Sequence, residues 1–386
     1  MLQYAFRGGR RYWTILAIGG LLVLVGLAAY LRQLGEGLGI TGMSRDVSWG
    51  LYIAQFTFMV GVAASAVMVV LPYYLHNYKV FGRMVILGEF LAVSAVLMCM
   101  LFVFVDMGQP ARVLNMLLHP SPHSVMFWDL LVLTGYLLLN AIIGTVTLEA
   151  ERNSAPPPRW IRPLIILSIP WAVSIHTVTA FLYAGLEARP FWMTAILAPR
   201  FLASAFASGP SLLILLALLL RRFTPFDVGR EPIRALATIV AYAMVINLFF
   251  VGVEVFTVLY SGIPDHLEAF AYLFLGLEQH NNLVPWMWAG QLLAVACTVF
   301  LISPKIRRRE GLLALLCGGV IAGVWIEKGL GLVVAGFIPS PLGRVTEYAP
   351  TAPELAIMFG IYALGAVVLT VLYRLVLGVR VRHEMA

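Results

Sequence analysis

The stretch MVILGEFLAVSAVLMCMLFVFVDMGQPARVLNMLLHP, Met84–Pro120, begins as a membrane span and ends as something more specific. Met84–Val105 carries one charged side chain, Glu89, over a length of helix that crosses a bilayer core, roughly twenty residues. A span needs only to stop. This one stops on Asp106, turns through Gly108-Gln109-Pro110 and presents Arg112 before the next apolar run opens at Ser124.

Windows of the same kind recur along the whole chain. They predict an all-α, polytopic membrane helical bundle of ten transmembrane helices. The spans read as Trp13–Leu31, Trp49–Leu75, Met84–Val105, Ser124–Leu148, Ile161–Tyr183, Phe201–Leu220, Ala235–Leu259, Leu283–Ile302, Leu312–Phe337 and Leu355–Leu377. Composition agrees: 61% of residues are hydrophobic and 12% charged, against roughly half and a quarter in soluble domains. Mean hydropathy is +0.91. Arg7, Arg10 and Arg11 precede the first span, but its apolar stretch is too long for a signal peptide and no small-residue cleavage site follows, so an uncleaved anchor is expected. The longest connection, Tyr260–Asn282, has 23 residues and leaves no room for a soluble domain, so residues 1–386 are expected to form a single integral membrane domain.

Orientation follows from counting Lys and Arg by side. The N-terminus, the even-numbered connections and the C-terminal end carry 19, the odd-numbered connections 6, and Lys328 lies within a span. Both termini are therefore expected in the cytoplasm, with Asp106 at the outer boundary. The net charge of +7 comes from this asymmetry and gives no sign of a nucleic-acid partner. Cys99, Cys297 and Cys317 lie in separate spans at no metal-ligand spacing, so neither disulfides nor a metal site is expected.

An ionisable side chain in hydrocarbon costs at least about 2.5–3.5 kcal/mol, so each one inside a span is a functional candidate. Most collect at the outward ends. Trp49, Tyr52 and Gln55 open the second span, Asp106 closes the third and Asp129 lies early in the fourth. His176, Thr179 and Tyr183 are spaced i, i+3, i+7, which is one face of the fifth. Asn247 and Glu254 share a face of the seventh. Glu89 and Asn140 stand nearly alone in the inner half, and Glu327-Lys328, about 100° apart on an α-helix, need partners on other helices. Glu89, Asn140, Asn247, Glu254, Glu327 and Lys328 can together form a proton path, or equally serve as polar glue between helices. Trp13, Trp160 and Trp286 read as interface anchors, and Asp129 can also be a helix cap.

Bis-histidine haem ligation needs two facing histidines, and only His176 lies well inside a span. Flavin and nucleotide sites lack their glycine-rich loops, and no iron–sulfur ligand spacing is present. A quinone suits what remains. Its ring carbonyls need hydrogen-bond partners and proton exchange, its tail needs an apolar bundle, and a histidine beside buried carboxylates supplies the first two.

VDMGQPARVLNMLLHPSPHSVMFWD (Val105–Asp129) resembles the signature of the NrfD/polysulfide-reductase membrane-subunit family: an Asp ending a span, Gly-x-Pro-x-Arg, a proline-rich turn and Ser opening the next span. The ten-span length is similar to the HybB-like branch. TGMSRDVSWGLYIAQFTFMVGVAASAVMVVLP (Thr41–Pro72) and SIHTVTAFLYAGL (Ser174–Leu186) look like the DsrP subunits of sulfite-reduction-associated DsrMKJOP complexes. The resemblance implies a haem-free, menaquinone-interacting subunit of a respiratory complex in sulfur metabolism, in the cytoplasmic (inner) membrane of a bacterium or archaeon. It implies an extracytoplasmic ferredoxin-like iron–sulfur partner, a multihaem cytochrome c, a haem b membrane subunit and a cytoplasmic iron–sulfur subunit, with no cofactor of its own beyond bound menaquinone. It puts the quinone site at the outer end of the second to fifth spans. The motif supports Asp106 and Arg112 directly; Trp49, Gln55, Asp129, His176 and Tyr183 rest on depth and helix face. Asp106 and His176 are then the groups for ring protons and carbonyl contacts, with Arg112 holding Asp106 or a partner subunit. Two rival readings stay open: a secondary transporter using Glu254, Glu327 and Lys328, which predicts inverted repeats, and a haem b cytochrome.

Overall fold

A computed structural model of the chain describes residues 2–385. Ten helices are long and apolar enough to cross a membrane. They are α1 (Arg10–Glu36), α2 (Leu51–Tyr74), α3 (Gly82–Asp106), α4 (Val125–Arg152), α5 (Ile161–Ala184), α6 (Leu197–Phe223), α7 (Arg230–Ser261), α8 (Val284–Ile302), α9 (Glu310–Ala335) and α10 (Ala352–Met385). There is no strand among the described residues. Helix is the only backbone solution for such segments, because hydrocarbon offers no partner to a free N–H or C=O. Most helices outrun the expected spans at one or both ends, since once the apolar stretch has nucleated a helix its polar flanks continue the hydrogen-bond ladder into the interface. The connection Tyr260–Asn282 is ordered as well: Pro264–Phe274 forms a helix laid across the Asp106 end of α7 and α8.

Two four-helix bundles carry the architecture. In the first, α2 packs on α3, α3 on α4, α4 on α5, and α5 returns to α2; in the second, α6 to α9 close the same kind of ring. Both bundles start at the same end of the molecule, so they are not the inverted pair that a transporter reading predicts. Helices α1 and α10 pair with one another, and α10 leans on α3. The bundles meet along α2, which packs against both α6 and α9. Its most apolar window is 94% buried, whereas that of α1 is 6% buried.

Helix α2 is interrupted at residues 64–66, separating Leu51–Ala63 from Val67–Tyr74. Tight turns satisfy part of the break, Ala64 and Ser65 donating to the carbonyls of Gly61 and Val62. The Tyr136 hydroxyl of α4 reaches the Ala63 carbonyl at 3.4 Å. Gly209 of α6 presses directly on this break: a Cβ there would sit 2.9 Å from the Ser65 nitrogen and 3.1 Å from the Gly61 and Val62 carbonyl oxygens. Likewise Gly26 and Gly360 let the backbones of α1 and α10 touch.

A second knot ties the loops at the Asp106 end. Glu354, fully buried, accepts from the Thr351 backbone N–H at 2.8 Å, one half of a capping box at the start of α10. Its carboxylate also accepts from the Gly42 N–H and the Tyr348 hydroxyl, each at 2.7 Å, and that hydroxyl in turn accepts from the Leu51 N–H at 2.7 Å. One acid thus fixes the starts of α2 and α10 together. Burial and the nearby Glu354 charge push the Tyr348 phenol well above its usual range, so it stays a donor to the carboxylate.

Gly209→Leu is expected to destabilise the purified protein by about 1–3 kcal/mol or more, because only backbone atoms stand in its way. Gly20→Leu, with no atom within 4 Å of a new Cβ, is the matched control and leaves the detergent melting temperature unchanged. Equal melting temperatures for the two variants would contradict the packing described.

Candidate functional site

At the Asp106 end of the first bundle, α5 turns His176, Thr179 and Tyr183 inward, and all three are fully buried. Pro170 lies in the same helix, six residues before His176, without breaking it. The Thr179 hydroxyl lies 2.8 Å from the Asp129 carboxylate of α4 and 2.8 Å from the Ile175 carbonyl. Thr57 of α2 spends its hydroxyl proton on the Ile53 carbonyl at 2.7 Å, which leaves the Tyr183 hydroxyl as donor to the Thr57 oxygen. His176 differs from these. Neither ring nitrogen has a hydrogen-bond partner among the described residues, and the Ala172 carbonyl one turn back lies outside hydrogen-bond geometry.

An aromatic cluster closes the site from the end. Trp49 stacks on Trp192 with centroids 5.7 Å apart, and meets Tyr183 and Phe337 edge-on at 5.5 and 5.8 Å. Trp192 sits at the centre, fully buried, its indole N–H donating to the Leu332 carbonyl at 2.8 Å. Gly336 is small because this indole occupies the space of a side chain. The Arg189 guanidinium lies over the Phe337 ring at 4.3 Å. Sequence reasoning missed Trp192, since a tryptophan in a connection reads as an interface anchor; the adjoining Arg-Pro-Phe-Trp run at 189–192 was the available signal.

The remaining predicted residues do not join this cluster. Gln55 faces the other way on α2, its carbonyl oxygen accepting from the Trp325 indole at 2.7 Å and the Tyr362 hydroxyl at 2.6 Å. Asp106 closes α3 half-buried, within reach of the Glu354 charge, and one of its oxygens has no hydrogen-bond partner. Arg112 lies exposed on the turn Pro110–Arg112, and no ion pair joins it to Asp106 among the described residues.

The expected proton path divides in the same way. Asn247, Glu254 and Glu327 converge in the second bundle, the Asn247 amide donating to Glu327 at 3.4 Å. What joins them is Arg200 of α6, which the sequence placed in a connection one residue before the span. Helix α6 instead starts at Leu197, and the Arg200 side chain is only 12% exposed, paired with Glu254 and, at 2.6 Å, with Glu327. An arginine beside a predicted boundary, facing two unassigned buried acids, was the signal. Glu327 and Lys328 lie in a π-helical turn, Trp325–Gly331, a local widening that often marks functional sites. The Lys328 amine points between the bundles, 4.2 Å above the Phe201 ring and 3.4 Å from its carbonyl. Asn140 donates to the Tyr136 carbonyl at 2.8 Å, and Glu89 is buried against Gly144 with neither oxygen hydrogen-bonded. No hydrogen bond among the described residues links these two to the other four.

Comparison with known proteins agrees with this picture. A Halobacterium salinarum protein assigned as a membrane subunit of a dimethyl sulfoxide reductase is 27% identical, the alignment covering 93% of this chain and 89% of that protein. An Hdr-like menaquinol oxidoreductase integral membrane subunit from Archaeoglobus fulgidus is 26% identical over 76% of this chain and 72% of its own. A menaquinone reductase integral membrane subunit from Nitratidesulfovibrio vulgaris is 23% identical over 90% and 87%. The family model for polysulphide reductase, NrfD, matches residues 39–338, which take in both bundles and the aromatic cluster. The chain belongs to the NrfD polysulphide reductase family.

Proposed function

We propose that this chain is the integral membrane subunit of a respiratory complex and binds menaquinone or menaquinol at the Asp106 end of the first bundle. The observation that carries the reading is His176: a fully buried imidazole whose two nitrogens have no hydrogen-bond partner at the end of a bundle. Burying a polar group unpaired costs about 1–3 kcal/mol, so this position fits a residue whose partner is a ligand. A quinone ring supplies two-electron, two-proton chemistry and two carbonyl oxygens. His176 would donate to or accept from one of them. Asp129, held by Thr179, would keep a proton within a turn of the histidine. Trp49, Tyr183 and Trp192 would wall the ring with apolar faces and keep out bulk water.

The names of the menaquinol and menaquinone relatives support this choice of ligand. Electrons would pass to or from an extracytoplasmic iron–sulfur protein docked over Asp106 and the exposed Arg112, with both chain termini in the cytoplasm. A multihaem cytochrome c, a haem b membrane subunit and a cytoplasmic iron–sulfur subunit would complete the complex in a prokaryotic inner membrane, serving dissimilatory sulfur metabolism as in the DsrP branch. The six interior polar residues would carry protons, Glu89 and Asn140 as one part and Asn247, Glu254, Glu327 and Lys328 as another.

A fluorescence-quench titration of the purified chain with a menaquinone analogue tests the site. His176→Ala is expected to weaken binding roughly five- to a hundredfold, the worth of one or two hydrogen bonds to a buried polar group. Asp129→Asn and Asp106→Asn are expected to weaken it less. If all three bind like the wild type, the site is misassigned. For the docking role, Arg112→Ala is expected to leave quinone affinity unchanged and to lower co-purification of the iron–sulfur partner. A variant that loses quinone affinity and keeps its partner reverses that assignment.

A further inference from the structure

The cluster around Arg200 carries more charge than a structural ion pair needs. One guanidinium forks across acids from two other helices, Glu254 of α7 and Glu327 of α9. Arg200 pairs with both acids, and the second charge is balanced by the neighbouring Lys328 without an ion pair between them, so one carboxylate is incompletely paired inside the spanning part of the bundle, where such charge is expensive. Beside it Asn247, fully buried, donates through its nitrogen to Glu327, while its side-chain oxygen has no hydrogen-bond partner. A free acceptor beside an incompletely paired carboxylate is completed by a proton on that carboxylate.

This cluster lines a cleft. Arg200, Glu254 and Glu327 share its wall with Phe191, Phe270, Phe274, Val251 and Gln291. The cleft leaves about 20 Å³ to the centres of water molecules. That is room for a water or two and far too little for a quinone ring. Its ligand is therefore of the size of hydronium.

We propose that Arg200, Glu254, Glu327 and Asn247 form a proton-exchange site, loaded by water in this cleft from the Asp106 end of the molecule. On loading, hydronium gives its proton to one carboxylate, leaving water in the cleft and a neutral carboxylic acid, and Arg200 pairs with the acid that stays ionised. Unloading reverses the same step. Gln291 of α8 is the polar group facing the cluster from the fourth helix of the bundle. Lys328 supplies the countercharge, its amine lying over the Phe201 ring. This proposal deepens the proton-path part of the function proposed above and gives that path a member, Arg200, and an entrance.

Infrared difference spectroscopy of the full-length protein in detergent, without quinone, between acidic and alkaline buffer reads the site directly. The wild type is expected to show a deuterium-sensitive carbonyl band of a protonated carboxyl group. That band is lost in Glu254→Gln or in Glu327→Gln and kept in Glu231→Gln, whose acid is exposed at the start of α7. Identical bands in the wild type and in both cluster variants would overturn the proposal. Should a cluster variant fail to accumulate, Val251→Trp fills the side of the cleft without touching either acid. It is expected to slow deuterium exchange of the band severalfold, and an unchanged exchange rate overturns the cleft as the route. Because no quinone is present, a lost band in a protein that does not bind menaquinone refutes the quinone reading alone, and quinone binding without a lost band refutes this site alone.

Discussion

A helix buried on every side has no lipid face to hide its defects, and α2 is that helix. Its break at residues 64–66 exposes backbone groups in a place that neither water nor lipid can serve, so neighbouring helices must serve them. Tyr136 answers from α4 and Gly209 yields its side chain so that α6 can close over the turn. The two bundles are held at the spacing this contact dictates. That spacing brings the Lys328 amine of α9 up to Gly61 of α2. The approach of this charge to the first bundle is therefore a consequence of how a broken helix is packed.

How far the sequence could be read follows from what hydrocarbon demands. It demands apolar length, so all ten spans were legible, and errors fell at their ends, where Arg200 and Glu310 continue helices that composition alone would cut short. It does not say which span is central. The near-total burial of α2 and the sparse burial of α1 come from sequences of similar greasiness, because lipid tails and protein cores ask the same of a side chain. Period and moment therefore could not have placed α2 at the interface. Only its Gly61 and the small residues of α6 hint at close packing.

The site was legible in part for the same reason. Depth along a helix can be counted, and the structure puts Asp129 beside Thr179, with His176 and Tyr183 buried on the same helix as Thr179. Azimuth across different helices cannot be counted. Gln55 lies at the right depth and faces α9 and α10, and Arg112 belongs to the right motif and faces solvent. Trp192 was invisible because it reaches the cluster from a connection, and Arg200 because its partners are 54 and 127 residues away.

The two bundles divide the polar work by charge. The first gathers hydroxyls, one acid and an imidazole behind stacked aromatics, groups that become charged only by exchanging a proton. The second gathers a guanidinium that never gives up its charge and forces carboxylates to gather round it. A permanent cation needs only one ionised acid as its partner. It is therefore a good anchor for a pair of acids of which one exchanges a proton while the other stays ionised. Arg200 lies in the bundle away from His176, with the Lys328 amine over the Phe201 ring of α6, so the permanent charges are kept out of the bundle that holds the imidazole.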